Sequence, residues 1–365
     1  MINKCVPAPS QKRLIADACR ESDGARRRLF LGALVAAAWS GSALGFASNL
    51  TANSWPTAAP ALMYRDPTRQ PILAATLAGK RVVAVGLRGV IIYSEDANTY
   101  VQAVVPVSAD FTAVVFIDDK HGWAVGTDGV IVSTADGGKH WGLQRQTFGT
   151  DERLFSVMFI TPTDGFAVGS FGLCLKTNDG GANWVTVDVA HDGSGAPHLY
   201  QLLHGRAGET LIIGEFGSIF RSAPGGQWRK IASPVQRSLF GGTVCGDLLV
   251  AIGLHGTVLT SEDGGVVWRH ADVGDAPGVM GAICSPTQQL VLFDARGSLF
   301  RSCDGGRSFA GTEPSAKMTA TCAVWPTAHR APLFFSLNGV VNSALSESNK
   351  KSKFVTNCVR TRSGA

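Results

Sequence analysis

The sequence predicts an all-β fold, a seven-bladed β-propeller of four-stranded antiparallel blades, and three observations predict it. Gly89, Gly129, Gly172, Gly217, Gly256, Gly297 and Gly339 recur at spacings of 40, 43, 45, 39, 41 and 42 residues, each heading a short β-rich run. A period of about 40–45 residues built of short strands is that of a propeller blade, whereas helical repeats carry a 3.6-residue apolar pattern. Most copies extend into the phrase G-x-x-G-x-I-x-x-S-x-D-G-G-x-x-W, clearest from Gly126 through Asp136 to Trp141 and from Gly169 through Asp179 to Trp184. Finally, 43 glycines and only 17% charged residues suit many short strands joined by tight turns. A length of 365 residues allows two domains, but closed all-β folds run long as one unit, so residues 48–345 read as a single propeller.

Residues 1–47 read as an export signal. Lys4, Lys12, Arg13, Arg20, Arg26, Arg27 and Arg28 precede an uncharged apolar run over residues 29–47, which ends in a small-x-small site at Gly45-Phe46-Ala47. Arg27-Arg28-Leu29-Phe30-Leu31 matches the core of a twin-arginine signal, and a general secretory signal is the alternative. The apolar run is also long enough to remain as an inner-membrane anchor instead of being cleaved before Ser48. Either outcome places the propeller in the periplasm, because the Lys/Arg excess stays inside.

The net charge of +5 sits at the two ends of the chain. Residues 346–365 form a basic tail with Lys350, Lys351, Lys353, Arg360 and Arg362, which leaves the propeller body net acidic. Nucleic-acid binding needs clustered Lys and Arg, so no nucleic acid is expected as a partner.

The blades read in order as follows. The first is degenerate at Ser94-Glu95-Asp96-Ala97, and the second carries Asp136 and Trp141. In the third, Leu154 to Phe159 reads as an inner strand buried on both faces, Phe166 to Val168 as the second strand, Leu173 to Lys176 as the third and Trp184 to Val187 as the outer one. Gly169-Ser170-Phe171-Gly172 closes the hairpin between the second and third strands, where Gly supplies positive φ. The fourth blade has Pro224 in place of the Asp ahead of Trp228, the fifth carries Asp263 and Trp268, and the sixth Asp304 and Phe309. The seventh lacks the turn after Gly339. A propeller avoids exposed edges by circularising, and either Trp55 to Tyr64 or Phe354 to Thr356 is positioned to supply the outer strand of the seventh blade.

Cys174, Cys245, Cys284, Cys303, Cys322 and Cys358 follow the apolar run. An oxidising compartment permits disulfides among them, with the connectivity left open. None has C-x-x-C spacing and no His cluster accompanies them, so no metal or other cofactor is expected.

The Asp-Gly-Gly turn with its following aromatic resembles the Asp-box, or BNR repeat. Its Asp accepts hydrogen bonds from its own turn, the glycines permit the reversal and the aromatic packs between strands. Asp136, Trp141, Asp179, Trp184, Asp263, Trp268, Asp304 and Phe309 are therefore structural. Seven blades, these boxes, the string Gly122-Trp123-Ala124-Val125-Gly126 and an export leader together resemble the photosystem II stability and assembly factor family, over roughly residues 55–345 and most specifically over 105–190. The resemblance implies a non-catalytic lumenal or periplasmic propeller that helps assemble a membrane-protein complex. In a non-photosynthetic bacterium it implies service to an envelope complex or transporter.

Asp-boxes also resemble those of sialidases, so a glycoside hydrolase and a non-catalytic glycan-binding propeller are the alternatives. A sialidase needs a Tyr nucleophile with an acidic partner and an arginine cluster. Tyr64, Tyr93, Tyr100 and Tyr200 have no acidic partner evident in sequence, and the F-R-I-P string is missing. No catalytic residue is therefore assigned. The hairpin between second and third strands should open on the same face as the segment entering the next inner strand. That face gathers Arg88, Phe171, Phe216, His255 and Arg296 from the hairpins and Arg153 and Arg237 from the entering segments. Arg and aromatics favour binding hot spots, which makes these seven the candidate partner-binding residues for a membrane-protein complex or transporter. Oligomeric state is left open.

Overall fold

The computed structural model describes residues 59–189, 196–205, 208–223, 227–274, 278–294, 298–311, 319–326 and 331–341. Residues 1–47, read above as an export signal, the basic tail, Trp55, Phe354 to Thr356, the Pro224 turn and Arg296 lie outside the described residues. Those described form seven antiparallel sheets, six of four strands and one of three, and each sheet follows chain order as a meander. Seven blades of four-stranded type are thus what the repeat builds. In blade III the strands are Leu154–Phe159, Gly165–Gly169, Cys174–Thr177 and Val185–Thr186, so Trp184 stands one residue ahead of the outer strand.

Inner strands Ile72–Ala78, Phe111–Phe116, Leu154–Phe159, Leu199–His204, Leu239–Cys245, Val279–Cys284 and Cys322–Val324 ring a central channel. Each neighbours the next, and that of blade VII neighbours that of blade I. The cores lie between blades. Val83, Val85 and Ile91 of blade I pack against Phe111, Val132 and Trp141 of blade II, and Ile72, Val82 and Ile92 pack against Val324 and Phe335 across the closure.

Blades I to VI share one irregularity. Near the start of each inner strand the register skips a residue: Leu73, Thr112, Phe155, Tyr200, Phe240 and Met280 are left without a partner opposite. Such bulges turn the extra side chain out of the sheet pattern. The preceding residues Ile72, Phe111, Leu154, Leu199, Leu239 and Val279 are buried, while the bulged ones remain partly accessible. Phe155 therefore departs from the expectation of an inner strand buried on both faces: it looks into the channel. The bulge also explains the first Gly of each G-x-x-G. A Cβ at Gly86, Gly126 or Gly169 would run into the carbonyl of Pro71, Asp110 or Arg153, the residue just before the bulged strand.

The Asp-box turns hold themselves and the neighbouring blade. Asp136 Oδ1 accepts from the Thr134 hydroxyl and from the Lys139 and His140 amides, and the Thr134 hydroxyl in turn accepts from the Gly138 amide at 3.1 Å. The same pattern recurs at Asp179, Asp263 and Asp304. Trp141 and Trp268 donate their indole N–H to the carbonyl of the second Gly of their own turn, at 3.0 and 3.1 Å. Across blades, Arg81 donates to the Gly137 carbonyl, Trp123 and Gln144 to that of Gly180, and Arg221 to that of Gly264. Blade I forms the box despite its sequence. Asp96 accepts from Ser94, Asn98 and Thr99, and Ala97 occupies the glycine position at φ 61°.

Closure uses contacts the repeat does not announce. The Thr321 hydroxyl of blade VII donates to the Ile72 carbonyl at 2.7 Å and to that of Phe335 at 3.1 Å. Gly339 sits against the Thr68 carbonyl with no room for a Cβ. Of the stretch ending at Tyr64, the described residues 59–64 form no strand of blade VII. They are tied to blade I, where the Ala61 amide donates to the Val105 carbonyl and the Tyr64 amide to Gln102 Oε1. The disulfide Cys245–Cys284 joins the last residues of the inner strands of blades V and VI, and Cys303 is disulfide-bonded as well. Cys174 and Cys322 are free thiols whose pKa burial pushes up to about 12.

Candidate functional site

Each G-x-x-G hairpin is a two-residue reversal with both central residues left-handed. Arg88, Asp128, Phe171, Phe216 and His255 have φ of 56°, 55°, 53°, 55° and 58°, and the following Gly89, Gly129, Gly172, Gly217 and Gly256 lie between 57° and 77°. Two consecutive positive φ values mark a type I′ turn, whose first position favours Asn, Asp or Gly. Asp128 obeys that preference. Arg88, Phe171, Phe216 and His255 do not, and a Cβ-bearing residue there costs roughly 1–2 kcal/mol of local strain.

The hairpins and the segments entering the inner strands share one face. The Gly89 amide donates to the Ala109 carbonyl and the Gly172 amide to that of Pro197, each one blade onward. The Arg88 amide donates to Asp110 Oδ1 at 2.8 Å, and the Phe171 amide to His198 Nδ1 at 3.0 Å. The His198 backbone N–H is held by Glu215 Oε2 at 3.1 Å.

Arg88, Arg153, Phe171, Phe216, Arg237 and His255 are all exposed and stand around this mouth. Phe171 and Phe216 are 68% and 69% exposed, so no neighbouring loop covers them. Arg88, Arg153 and Arg237 make no ion pair with a described residue. Arg237 stands one residue further from its strand than Arg153 does, the matching position being Ser238, whose carbonyl accepts from Leu254 as that of Arg153 accepts from Ser170. The structure brings only one part of the set into direct contact. The Phe171 ring lies 4.7 Å from that of His198, which in turn lies 6.2 Å from Phe155 and 6.0 Å from Tyr200, and the last two are 5.4 Å apart. A run of aromatic rings thus descends from the rim into the channel.

Sequence reasoning passed over that inner part. His198 lies just ahead of an inner strand, and the bulged positions interrupt the strand pattern on which the sequence reading relies. A signal existed: Leu73, Thr112, Phe155, Tyr200, Phe240, Met280 and Thr321 recur with the blade period, each next to a buried apolar residue. They line a channel cavity of about 610 Å³ whose lining holds no Asp, Glu, Lys, Arg or His.

Every described carboxylate with a shifted pKa is shifted downward. Burial pulls Asp136 up, but the His140 amide and imidazole, the Thr134 hydroxyl and the Lys139 amide outweigh it and hold it at about 2. The Asn183 side chain and amide, with Thr177, hold Asp179 at about 2. Tyr200 is raised by burial and by Glu215, so contrary to the sequence reading this tyrosine does have an acidic neighbour. Among the described residues no three of His, Cys, Asp and Glu converge as metal ligands.

Residues 92–244 match the family described as photosynthesis system II assembly factor YCF48, a span that contains the segment 105–190. A solved structure described as YCF48 bound to D1 peptide superposes with a TM-score of 0.60 at 18% identity, covering 78% of this chain and 98% of that one. YCF48 from Cyanidioschyzon merolae gives 0.60 at 16% identity over 77% and 96%. An ancestral GH74 enzyme gives 0.59 at 13% identity, covering 77% of this chain and 45% of the enzyme. At these identities the superpositions establish the fold. No curated protein matches the sequence at a significant level. The sequence match in blades I to V and the seven-bladed architecture agree in likening the chain to the photosystem II assembly factor-like family.

Proposed function

We propose that the protein is a non-catalytic scaffold or assembly factor that docks a segment of a membrane-protein complex at the loop mouth, on the periplasmic side. The observation that carries this reading is the set of exposed Arg and Phe side chains kept at positive φ against local preference. Strain retained at largely exposed surface positions calls for a reason outside the fold. The relative described as bound to D1 peptide supports a peptide as the ligand class for a propeller of this shape. The client is a photosystem II-like complex or an envelope transporter. The export leader supports the periplasm, and the Cys245–Cys284 disulfide suits its oxidising chemistry.

The absence of charged groups from the channel lining argues against hydrolysis, which needs a general acid of raised pKa aimed at the substrate. The rival glycoside-hydrolase reading has in its favour only the charge of Glu215 in the surroundings of Tyr200. A nucleophilic phenol needs its pKa lowered, and that of Tyr200 is raised. Turnover on sialosides, abolished by Tyr200→Phe, would establish the hydrolase instead. Polysaccharide binding without turnover would establish the glycan-binding propeller.

The decisive experiment is affinity purification from solubilised membranes, comparing wild type with the Arg153→Glu/Phe171→Ser double variant. The expected result is loss of a specific membrane protein from the variant's eluate. An unchanged set of partners overturns the site.

A further inference from the structure

The channel behind the mouth belongs to no role assigned so far. Five of its seven ring positions carry large apolar groups, Leu73, Phe155, Tyr200, Phe240 and Met280, and Met280 is 41% exposed. Several polar side chains near them are engaged within the fold. Thr112 donates to the Val125 and Leu154 carbonyls, Thr321 to those of Ile72 and Phe335, Gln201 Nε2 to that of Leu202, and Ser156 accepts from the Leu202 amide. An apolar side chain has nothing to lose and gains burial.

We propose that the channel is a socket for one large apolar side chain of the docked polypeptide, with that polypeptide's backbone remaining at the rim and its flanking carboxylates meeting Arg88, Arg153 and Arg237. The proposal rests on the docking reading above and adds the chemistry of the segment: acidic, with a single Phe-, Leu- or Met-like residue at its centre. Three features select this occupant. The side chains of the ring offer mainly apolar contact. The rim offers arginines without ion-pair partners, matching acidic flanks. The rings of Phe171, His198, Tyr200 and Phe155 form a continuous apolar wall between the two levels.

The test measures fluorescence anisotropy of a labelled acidic peptide carrying one central Phe against the same peptide with Ser there. The Phe peptide should bind on the order of ten- to a hundredfold more tightly, the range set by burying one such side chain. Met280→Trp fills the ring at its most accessible position, and Phe240→Trp fills it from a second side should the first disturb folding. Either plug, with an unchanged circular dichroism spectrum, should abolish the Phe preference and leave the arginine-dependent part of binding. Arg153→Glu/Arg237→Glu should weaken both peptides equally and keep their ratio. Equal binding of the two peptides to wild type, or a Phe preference that survives both plugs, overturns the socket and leaves the mouth standing. Binding of both peptides undiminished in the double arginine variant overturns the mouth itself. Binding of palmitate in the channel with neither peptide bound overturns the proposal in favour of a lipid site.

Discussion

Phe171 and Phe216 occupy equivalent positions at nearly equal exposure, yet their surroundings differ in a way that makes them separable. Both sit at the first place of a type I′ turn, where Asn relieves strain because its short polar side chain tolerates left-handed backbone. Phe171 stacks on His198 at 4.7 Å, a contact worth about 0.5–1.5 kcal/mol, while Phe216 has no ring contact with a described residue. Phe216→Asn should therefore stabilise the protein by roughly 1 kcal/mol, and Phe171→Asn by a few tenths or nothing, since the lost stacking offsets the relief. Urea midpoints of the two variants check this, and both should bind the partner less well. A destabilised Phe216→Asn would show that this side chain serves the fold. Stabilisation combined with lost binding is what a residue kept for function gives.

The Asp-box is the element whose chemistry the sequence states most completely, and its acid response follows from geometry. Asp136 and Asp179 are held at about 2, against about 3.9 in an unfolded chain, and Asp263 and Asp304 are shifted the same way. A depressed folded pKa contributes stability that is complete above the unfolded value and disappears as pH falls through the folded one. The window of loss attributable to the boxes thus lies between about pH 4 and pH 2. Asp136→Asn/Asp179→Asn should lower the denaturation midpoint at pH 7 and flatten its fall between pH 4 and 2 relative to wild type. An unaltered slope in that window would mean that these carboxylates do not govern acid stability. The box also shows how much a motif conceals. Asp-Gly-Gly and its Trp were legible, while the Ser/Thr two residues ahead of the Asp, the true hub of the turn, was seen only as a letter in the phrase. Blade I forms the turn without its glycines, because Ala97 accepts a left-handed φ once Asp96 has gathered the neighbouring amides.

At the scale of the whole ring, what the sequence conveyed and what it withheld divide by contact range. Blade count, meander order and the loop face followed from a period, and a period is local information repeated. Closure did not follow, because Thr321 meets Ile72 across 249 residues and blade VII lacks the phrase that marks its siblings. The channel ring lay between these cases: periodic, but shifted by a bulge that breaks the alternation a reader of strands relies on. Disulfide connectivity was open for the same reason as closure, although Cys245 and Cys284 end consecutive inner strands 39 residues apart, a single repeat step. That bridge ties the inner strands of blades V and VI directly. Cross-linking a loop of that length stabilises by up to about 4 kcal/mol through the entropy it removes from the unfolded chain. Cys245→Ala/Cys284→Ala should therefore lower the urea midpoint markedly, with the loss appearing in one cooperative transition because adjacent blades share their cores. Two separated transitions would show instead that blades V and VI melt apart from the rest of the ring, and an unchanged midpoint would show that packing between these blades already does what the bridge does.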